Sequence, residues 1–146
     1  MHEISQYLTA DHQHCDDLFA DAENAVLKAD WRNAQAHFQA FAAATQHHFA
    51  REESILFPTF EAHTGMSNGP TQVMRNEHQE INEILQDMAQ TITENDANTY
   101  LGLAETLLML MRQHNMKEEQ ILYPMADQAL SDAATDMISQ MEQLAP

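Results

Sequence analysis

Residues 48–58 read HFAREESILFP, and residues 114–124 read HNMKEEQILYP. The two segments share His, Glu-Glu, Ile-Leu and Pro at the same places, 66 positions apart. The same offset places the DHQ of residues 11–13 over the EHQ of residues 77–79. The chain therefore contains an internal repeat, which predicts that its first half recurs structurally in its second half about a pseudo-two-fold axis.

Apolar residues recur at intervals of three and four along most of the chain, a pattern typical of amphipathic α-helices. Only three glycines and four prolines interrupt it, which favours long helices over a protein of many hairpins. The predicted helices cover residues 3–28, 30–58, 70–92, 96–124 and 131–144, with Asp30, Asn68 and Asp96 as candidate N-caps. The second helix is expected to end or kink near Pro58, and the fourth to end near Pro124. The prediction is an all-α fold, an up-down-up-down four-helix bundle with a short C-terminal fifth helix.

The length of 146 residues suits a single domain over residues 1–146, whose helix pairs, 3–62 and 70–125, are the two copies of the repeat. Six Lys and Arg stand against 23 Asp and Glu, giving a net charge of −17. Such a chain cannot assemble the basic patch that binds nucleic acid or an anionic membrane. One cysteine, no apolar run long enough to cross a membrane and an N-terminus unlike a signal peptide predict a cytoplasmic protein.

Each long helix has one apolar face, and polar side chains interrupt all four faces. On the fourth helix, for example, the face continues through Ile121 and Met125. The interrupting residues are His12, His48, Glu52, His78, His114 and Glu118. Since a buried carboxylate is costly without a positive partner, and no Lys or Arg lies on these faces, we expect metal cations among them.

The spacing of these residues supports a dinuclear site. A His and a Glu four residues apart lie on one helical face, one turn from each other. Two such helices, with one His from each remaining helix, supply four imidazoles and two carboxylates, enough for two metal ions bridged by the carboxylates. Ferritin-like bundles instead use Glu-x-x-His and more carboxylates. Imidazole and carboxylate donors without a thiolate suit Fe, Mn or Zn.

The segments DHQHCDDLF, HHFAREESILFP, RNEHQEI and QHNMKEEQILYP closely resemble hemerythrin-like, or HHE cation-binding, domains as far as about residue 127. The resemblance implies a non-haem di-iron centre, with an oxo or hydroxo bridge, that meets O₂ or a related small oxidant. Oxygen-carrying hemerythrins have HxxxH where this chain has Met74 before His78, and His and Asp five apart where this chain has His114 and Glu118. The set of four His and two Glu resembles that of the repair-of-iron-centres proteins.

Five residues lie about one turn from the predicted ligands and are expected to line a pocket for the small molecule: Leu8, Cys15, Thr45, Met74 and Met111. Cys15 is read as a packing residue, because its repeat counterpart is Ile81; a redox role is the alternative. Glu53 and Glu119 recur but lie off the inward face, so they are expected to support the site by hydrogen bonds. The other histidines do not recur, and Tyr123 gives no signal.

Three functions remain open at this point. The leading hypothesis is a di-iron protein that binds or senses O₂ or NO, or that handles iron and oxidants. The second is a di-iron enzyme with peroxidase-like or oxidase-like activity, or one that repairs iron–sulfur clusters. The third is a metal-free structural bundle. The expected partner is a small diatomic or peroxide ligand, with no nucleic acid or membrane, and the sequence leaves open whether the chain pairs with a second copy of itself.

Overall fold

The helices begin close to the predicted positions, but the second and fourth continue beyond the predicted ends near Pro58 and Pro124. The structure is a computed structural model, and it describes residues 2–146. Its helices are α1 (Glu3–Leu27), α2 (residues 31–64), α3 (Pro70–Thr93), α4 (residues 97–129) and α5 (Ala134–Gln143), the last preceded by a 3₁₀ turn, Ser131–Ala133. Residues 2–146 contain no β-strand, and four long helices form a bundle with a short C-terminal helix, which confirms the predicted fold class.

The connections between helices follow the repeat. Asp30 and Asp96 cap α2 and α4, as predicted, by accepting hydrogen bonds from the backbone N–H groups of Asn33 and Thr99. The residue before each cap, Ala29 or Asn95, has a positive φ of 55° or 54°. The prediction of Asn68 as the cap of α3 is wrong, because Gly69 occupies that position and Pro70 begins the helix. Short connections make consecutive helices antiparallel.

Two apolar clusters fill the bundle. The upper cluster lies towards the connections at residues 28–30 and 94–96, and includes Phe19, Phe38, Phe41, Leu85, Met88, Tyr100 and Leu107. The lower cluster lies towards the chain ends and includes Ile4, Leu8, Leu56, Phe60, Met74, Tyr123 and Met141. The level between the two clusters is where the polar residues of the four inward faces lie.

Helices α2 and α4 each contain one π-helical turn, which the sequence analysis did not predict. The turns are Glu52–Leu56 in α2 and Glu118–Leu122 in α4, and each is closed by an N–H five residues after the accepting carbonyl. A proline follows each turn by two residues, and in a regular helix its ring would clash with the carbonyl four residues earlier. The wider turn moves that carbonyl away, so both helices continue to residues 64 and 129 instead of ending at the prolines.

The π turn in α4 also corrects the inward face predicted beyond it. Ile121 is 55% exposed, and Met125 is only partly buried. Leu122 and Ala126, one residue later in each case, are buried in their place. The extra residue in the turn rotates the helix by about one position. This shift cannot be predicted when a constant α-helical spacing is assumed along the sequence.

Helix α5 covers the lower end of the bundle. Its Met137 and Met141 are buried in the lower cluster. Arg51 in α2 donates from Nε to the carbonyl of Met141 at 3.2 Å, and His47 lies 2.9 Å from the carbonyl of Leu144. The helix is thereby fixed beside the level of the buried polar residues. No helix within residues 2–146 has the length and apolar character needed to cross a membrane.

Candidate metal centre

The six polar residues of the inward faces meet at one level between the upper and lower clusters. Each is at most 3% exposed: His12, His48, Glu52, His78, His114 and Glu118. Their donor atoms form two groups, in each of which all atoms lie within 4.8 Å of one another. One group contains His12 and His48, the other contains His78 and His114, and both contain Glu52 and Glu118. The arrangement therefore offers two adjacent positions for a metal ion, and the two positions share the carboxylates of Glu52 and Glu118.

Each of the four imidazoles is oriented by a carboxylate on its Nδ1 atom. The pairs are His12 with Glu119 (2.6 Å), His48 with Asp11 (3.0 Å), His78 with Glu53 (2.9 Å) and His114 with Glu77 (2.8 Å). A carboxylate can only accept, so each Nδ1 carries a proton, and a ring with no second proton presents the lone pair of its Nε2 atom to the centre. This is the orientation that metal-binding histidines adopt.

The orienting carboxylates follow the repeat as closely as the histidines do. Glu53 and Glu119 are related by the offset of 66, and their predicted hydrogen bonds are confirmed. Asp11 and Glu77 had no predicted role, although both lie in the repeated segments. Arg51 binds Asp11 at 2.7 Å and Lys117, its repeat counterpart, binds Glu77 at 2.5 Å. A cation on the outer side therefore holds each of these two carboxylates against its imidazole.

The inner atoms lack the partners that buried polar atoms require. Oε1 of Glu52, Oε2 of Glu118 and Nε2 of His78 and His114 are buried without a hydrogen bond. Nε2 of His78 lies 3.1 Å from Oε1 of Glu52, but not in hydrogen-bonding geometry. Such atoms are rare in proteins and costly. A cation between them would satisfy all four at once, so the residues present fit a metal.

The charges at the centre also indicate a metal site. Burial lowers the pKa of His114, but the Glu118 carboxylate outweighs burial and the pKa rises to about 9. Burial and the neighbouring Glu118 raise the pKa of Glu52. Burial also favours the neutral form of Glu118, yet its proximity to Glu52 and the charge of His114 hold its pKa well below the usual range. Without a metal, protons must supply the positive charge that these carboxylates need.

Comparison with known proteins agrees with the geometry of the centre. Residues 3–126 match the family model of the hemerythrin HHE cation binding domain. The chain belongs to this hemerythrin family. No curated protein and no solved structure matched it significantly. Cation binding is the property by which the hemerythrin family model is described, and the buried His and Glu groups fit a metal site.

The hemerythrin-family centre also contains a residue that the sequence analysis missed. The Tyr123 hydroxyl lies 2.6 Å from Oε2 of Glu52, 3.0 Å from Oε1 of Glu118 and 3.2 Å from Nε2 of His12. The side chain is fully buried, and burial together with the two carboxylates raises the pKa of its phenol. The repeat counterpart is Phe57, so the two halves of the chain differ here.

The five residues expected to line one pocket are all buried, but they lie on two sides of the centre. Leu8 and Met74 belong to the lower cluster, whereas Cys15 and Met111 belong to the upper cluster. Thr45 is 1% exposed, and its hydroxyl has no partner. Because consecutive long helices are antiparallel, the residue one turn before a ligand histidine lies on the upper side of the centre in α2 and α4. In α1 and α3 it lies on the lower side. Their role as pocket residues of a hemerythrin-family protein stays a prediction.

Proposed function

We propose that this hemerythrin-family protein binds two iron ions at the level of the six buried His and Glu residues, and there binds O₂ or NO. The single observation that carries the proposal is the pair of donor groups that share Glu52 and Glu118. His12 and His48 would complete one position, and His78 and His114 the other. Imidazole and carboxylate donors suit iron, and they also suit Mn and Zn; family membership favours iron.

The chain supplies rigid and water-poor surroundings for these ions. The carboxylates on the four Nδ1 atoms fix the tautomer and angle of each ring before any metal arrives. The upper and lower clusters exclude bulk water on both sides. When bound, a ferrous pair supplies up to two electrons to a small oxidant. Six protein donors for two ions leave coordination positions open for such a molecule.

Burial selects for very small ligands. The six His and Glu residues are at most 3% exposed, so a substrate of metabolite size cannot contact them without opening the bundle. A groove of about 520 Å³ lies between α1 and α4 on the outside of the bundle. Met111 and Glu119 line this groove, and Glu119 is the residue that orients His12. We therefore expect a diatomic molecule or a peroxide, and not a larger substrate, to bind at the centre.

Anaerobic loading with ferrous ion tests the proposal. Metal analysis is expected to give two irons per chain, and Mössbauer spectra of the oxidised protein a spin-coupled pair. Addition of O₂ or NO is expected to change the optical spectrum, with reversal on removal of the gas if binding is simple. Loading of the Glu118→Gln variant is the control for iron bound at the acidic surface. Iron that is absent, or that is bound equally well by this variant, would overturn the proposal.

A second function, reduction of peroxide, is favoured by Tyr123. While the phenol keeps its proton, its hydroxyl is a proton donor inside the buried centre, and reduction of a peroxide consumes protons. An enzyme would consume many equivalents of hydrogen peroxide per centre when a reductant is supplied. A binding protein would react once with each pair of ferrous ions and stop. Counting the equivalents consumed separates the two functions.

A further inference from the structure

The hydroxyl of Tyr123 lies among the donor atoms of one position of the centre. Its oxygen is 2.6 Å from Oε2 of Glu52, 3.0 Å from Oε1 of Glu118, 3.2 Å from Nε2 of His12 and 3.5 Å from Nε2 of His48. Those four residues are the whole of the first donor group. A phenol that served only to hold one carboxylate would need only one of these contacts.

Two of the Tyr123 distances, 3.0 Å to Glu118 and 3.2 Å to His12, are those expected between neighbouring ligands of one metal ion, and the 2.6 Å contact with Glu52 is a hydrogen bond. Nitrogen and oxygen ligands bind first-row metals at about 2.1 Å, so two ligands at right angles are about 3.0 Å apart. The Nε2 atoms of His12 and His48 are 3.1 Å apart, and Nε2 of His12 is 3.0 Å from Oε1 of Glu118. We infer that the oxygen of Tyr123 is a ligand of the ion held by His12 and His48. The inference rests on the proposed function, because it needs a metal at the centre.

The π turn in α4 brings Tyr123 to this place. In a regular α-helix, five residues correspond to about 500° of rotation, so residue 123 would point about 140° away from Glu118. In the π turn the N–H of Tyr123 bonds to the carbonyl of Glu118, which stacks the two residues on one face. The irregular turn therefore aims both side chains at the same position.

The two positions of the centre differ because the repeat is broken at this residue. Phe57 follows the π turn of α2 as Tyr123 follows that of α4, and its ring lies 5.8 Å from the ring of His78 without an oxygen to offer. The first position thus has one more oxygen donor than the second. When Tyr123 binds the ion, its O–H bond breaks, the proton leaves to solvent, and the oxygen forms the new bond without any transfer of electrons.

Charge-transfer spectroscopy of the ferric protein tests the inference. A phenolate bound to ferric iron gives an intense visible band, and excitation in that band enhances the phenolate ring modes in the resonance Raman spectrum. Protein loaded with ferrous ion, oxidised with ferricyanide and desalted is expected to show both signals. The Tyr123→Phe variant should lose them while keeping its iron. Tyr100→Phe, which removes another fully buried tyrosine hydroxyl, should keep them.

A third variant moves the ligand to the other half of the centre. Combining Tyr123→Phe with Phe57→Tyr is expected to restore a phenolate band, because the repeat places residue 57 beside His78. Two irons per chain with no phenolate signal in the unmodified protein would overturn the inference and leave the proposed function intact. Protein that holds no iron would instead contradict the proposed function itself. The metal analysis of the same samples distinguishes these results.

Discussion

The Nε2 atoms of His12 and His48 face each other at 3.1 Å across the core of the bundle. Each ring already donates from Nδ1 to a carboxylate, so neither neutral ring has a proton for the contact. Two lone pairs at this distance repel, and no protein cation lies between them. The pair is therefore stable only when a metal ion or an additional proton occupies the space between the two rings.

Replacement of Glu118 by Gln should remove most of the bound metal. The carboxylate belongs to both donor groups, so the change weakens both positions at once. Iron per chain is expected to fall from two to well below one, measured by elemental analysis after desalting. Glu105→Gln, which changes an exposed residue of the same helix, should leave the iron content unchanged. Equal iron in both variants would mean that Glu118 binds no metal.

The carboxylates that orient the imidazoles should tune affinity without abolishing binding. Asp11→Asn and its repeat counterpart Glu77→Gln each replace the charged acceptor of one Nδ1–H by a neutral amide. Such changes typically cost 10- to 100-fold in metal affinity. Competition with a chelator of known affinity measures the change, and Glu80→Gln at an exposed site is the matched control. An affinity unchanged by Asp11→Asn would contradict the orienting role.

Glu52→Gln should affect the metal-free and metal-loaded proteins differently. Burial and Glu118 raise the pKa of Glu52, so a neutral amide resembles its metal-free state. The free energy of unfolding without metal is expected to change by no more than about 1 kcal/mol. When the free metal concentration is a thousand times the dissociation constant, binding is expected to stabilise the unmodified protein by about 4 kcal/mol. The variant should lose most of this stabilisation. Urea unfolding in the presence of EDTA and in the presence of Zn²⁺ measures the free energy of unfolding without and with metal. If the variant lost a similar amount of stability under both conditions, a metal-specific role of Glu52 would be excluded.

The ion pair between Glu61 and Arg75 should make stability depend on pH. The hydrogen bond from Arg75 lowers the pKa of Glu61 below its usual 4.5. A carboxyl with a lowered pKa contributes stability above its unfolded pKa, and that contribution is lost as pH falls through its folded pKa. The free energy of unfolding of the unmodified protein should therefore exceed that of the Glu61→Gln variant by less than about 1 kcal/mol near pH 6. This difference should vanish towards about pH 3. In an Arg75→Gln background the difference is expected to stay near zero throughout.

Cys15 should be replaceable without effect on the centre. The thiol is 3% exposed in the upper cluster, and burial raises its pKa, which keeps it protonated and unreactive. Cys15→Ala is expected to keep the iron content and the optical spectra, and to lower stability by about 1 kcal/mol through the lost packing. In the unmodified protein, alkylation by iodoacetamide should be slow until urea is added. A changed spectrum in the variant would support the alternative redox role.

The repeat was enough to predict the fold class and where the buried polar residues meet. His48 and Glu52, like His114 and Glu118, sit at helical spacing on apolar faces, and both spacing and burial cost are properties of the sequence. The carboxylates of Asp11 and Glu77 were harder to assign, because they lie off those faces and act through the neighbouring helix. Their recurrence at the repeat offset was the signal available.

The π turns account for what the sequence did not predict. Period-based analysis assumes a constant angle per residue, and it therefore placed Ile121 inside and gave Tyr123 no role. The prolines at 58 and 124 indicated a disturbance in each helix, but not whether the helix would end, kink or widen. Only the hydrogen bonds of Phe57 and Tyr123 to carbonyls five residues earlier distinguish these outcomes.

The exchange of supporting groups between the halves has a consequence for the ancestry of the molecule. Glu119 in the second half orients His12 in the first, and Glu53 in the first half orients His78 in the second. A helical hairpin of half the length could form every one of these contacts as a dimer of two identical copies. Symmetry would then make the two metal positions of that dimer identical. Fusion of two copies into one polypeptide removes that constraint. Divergence at a single aromatic position, residue 57 against residue 123, is then sufficient to make the surroundings of the two donor groups different.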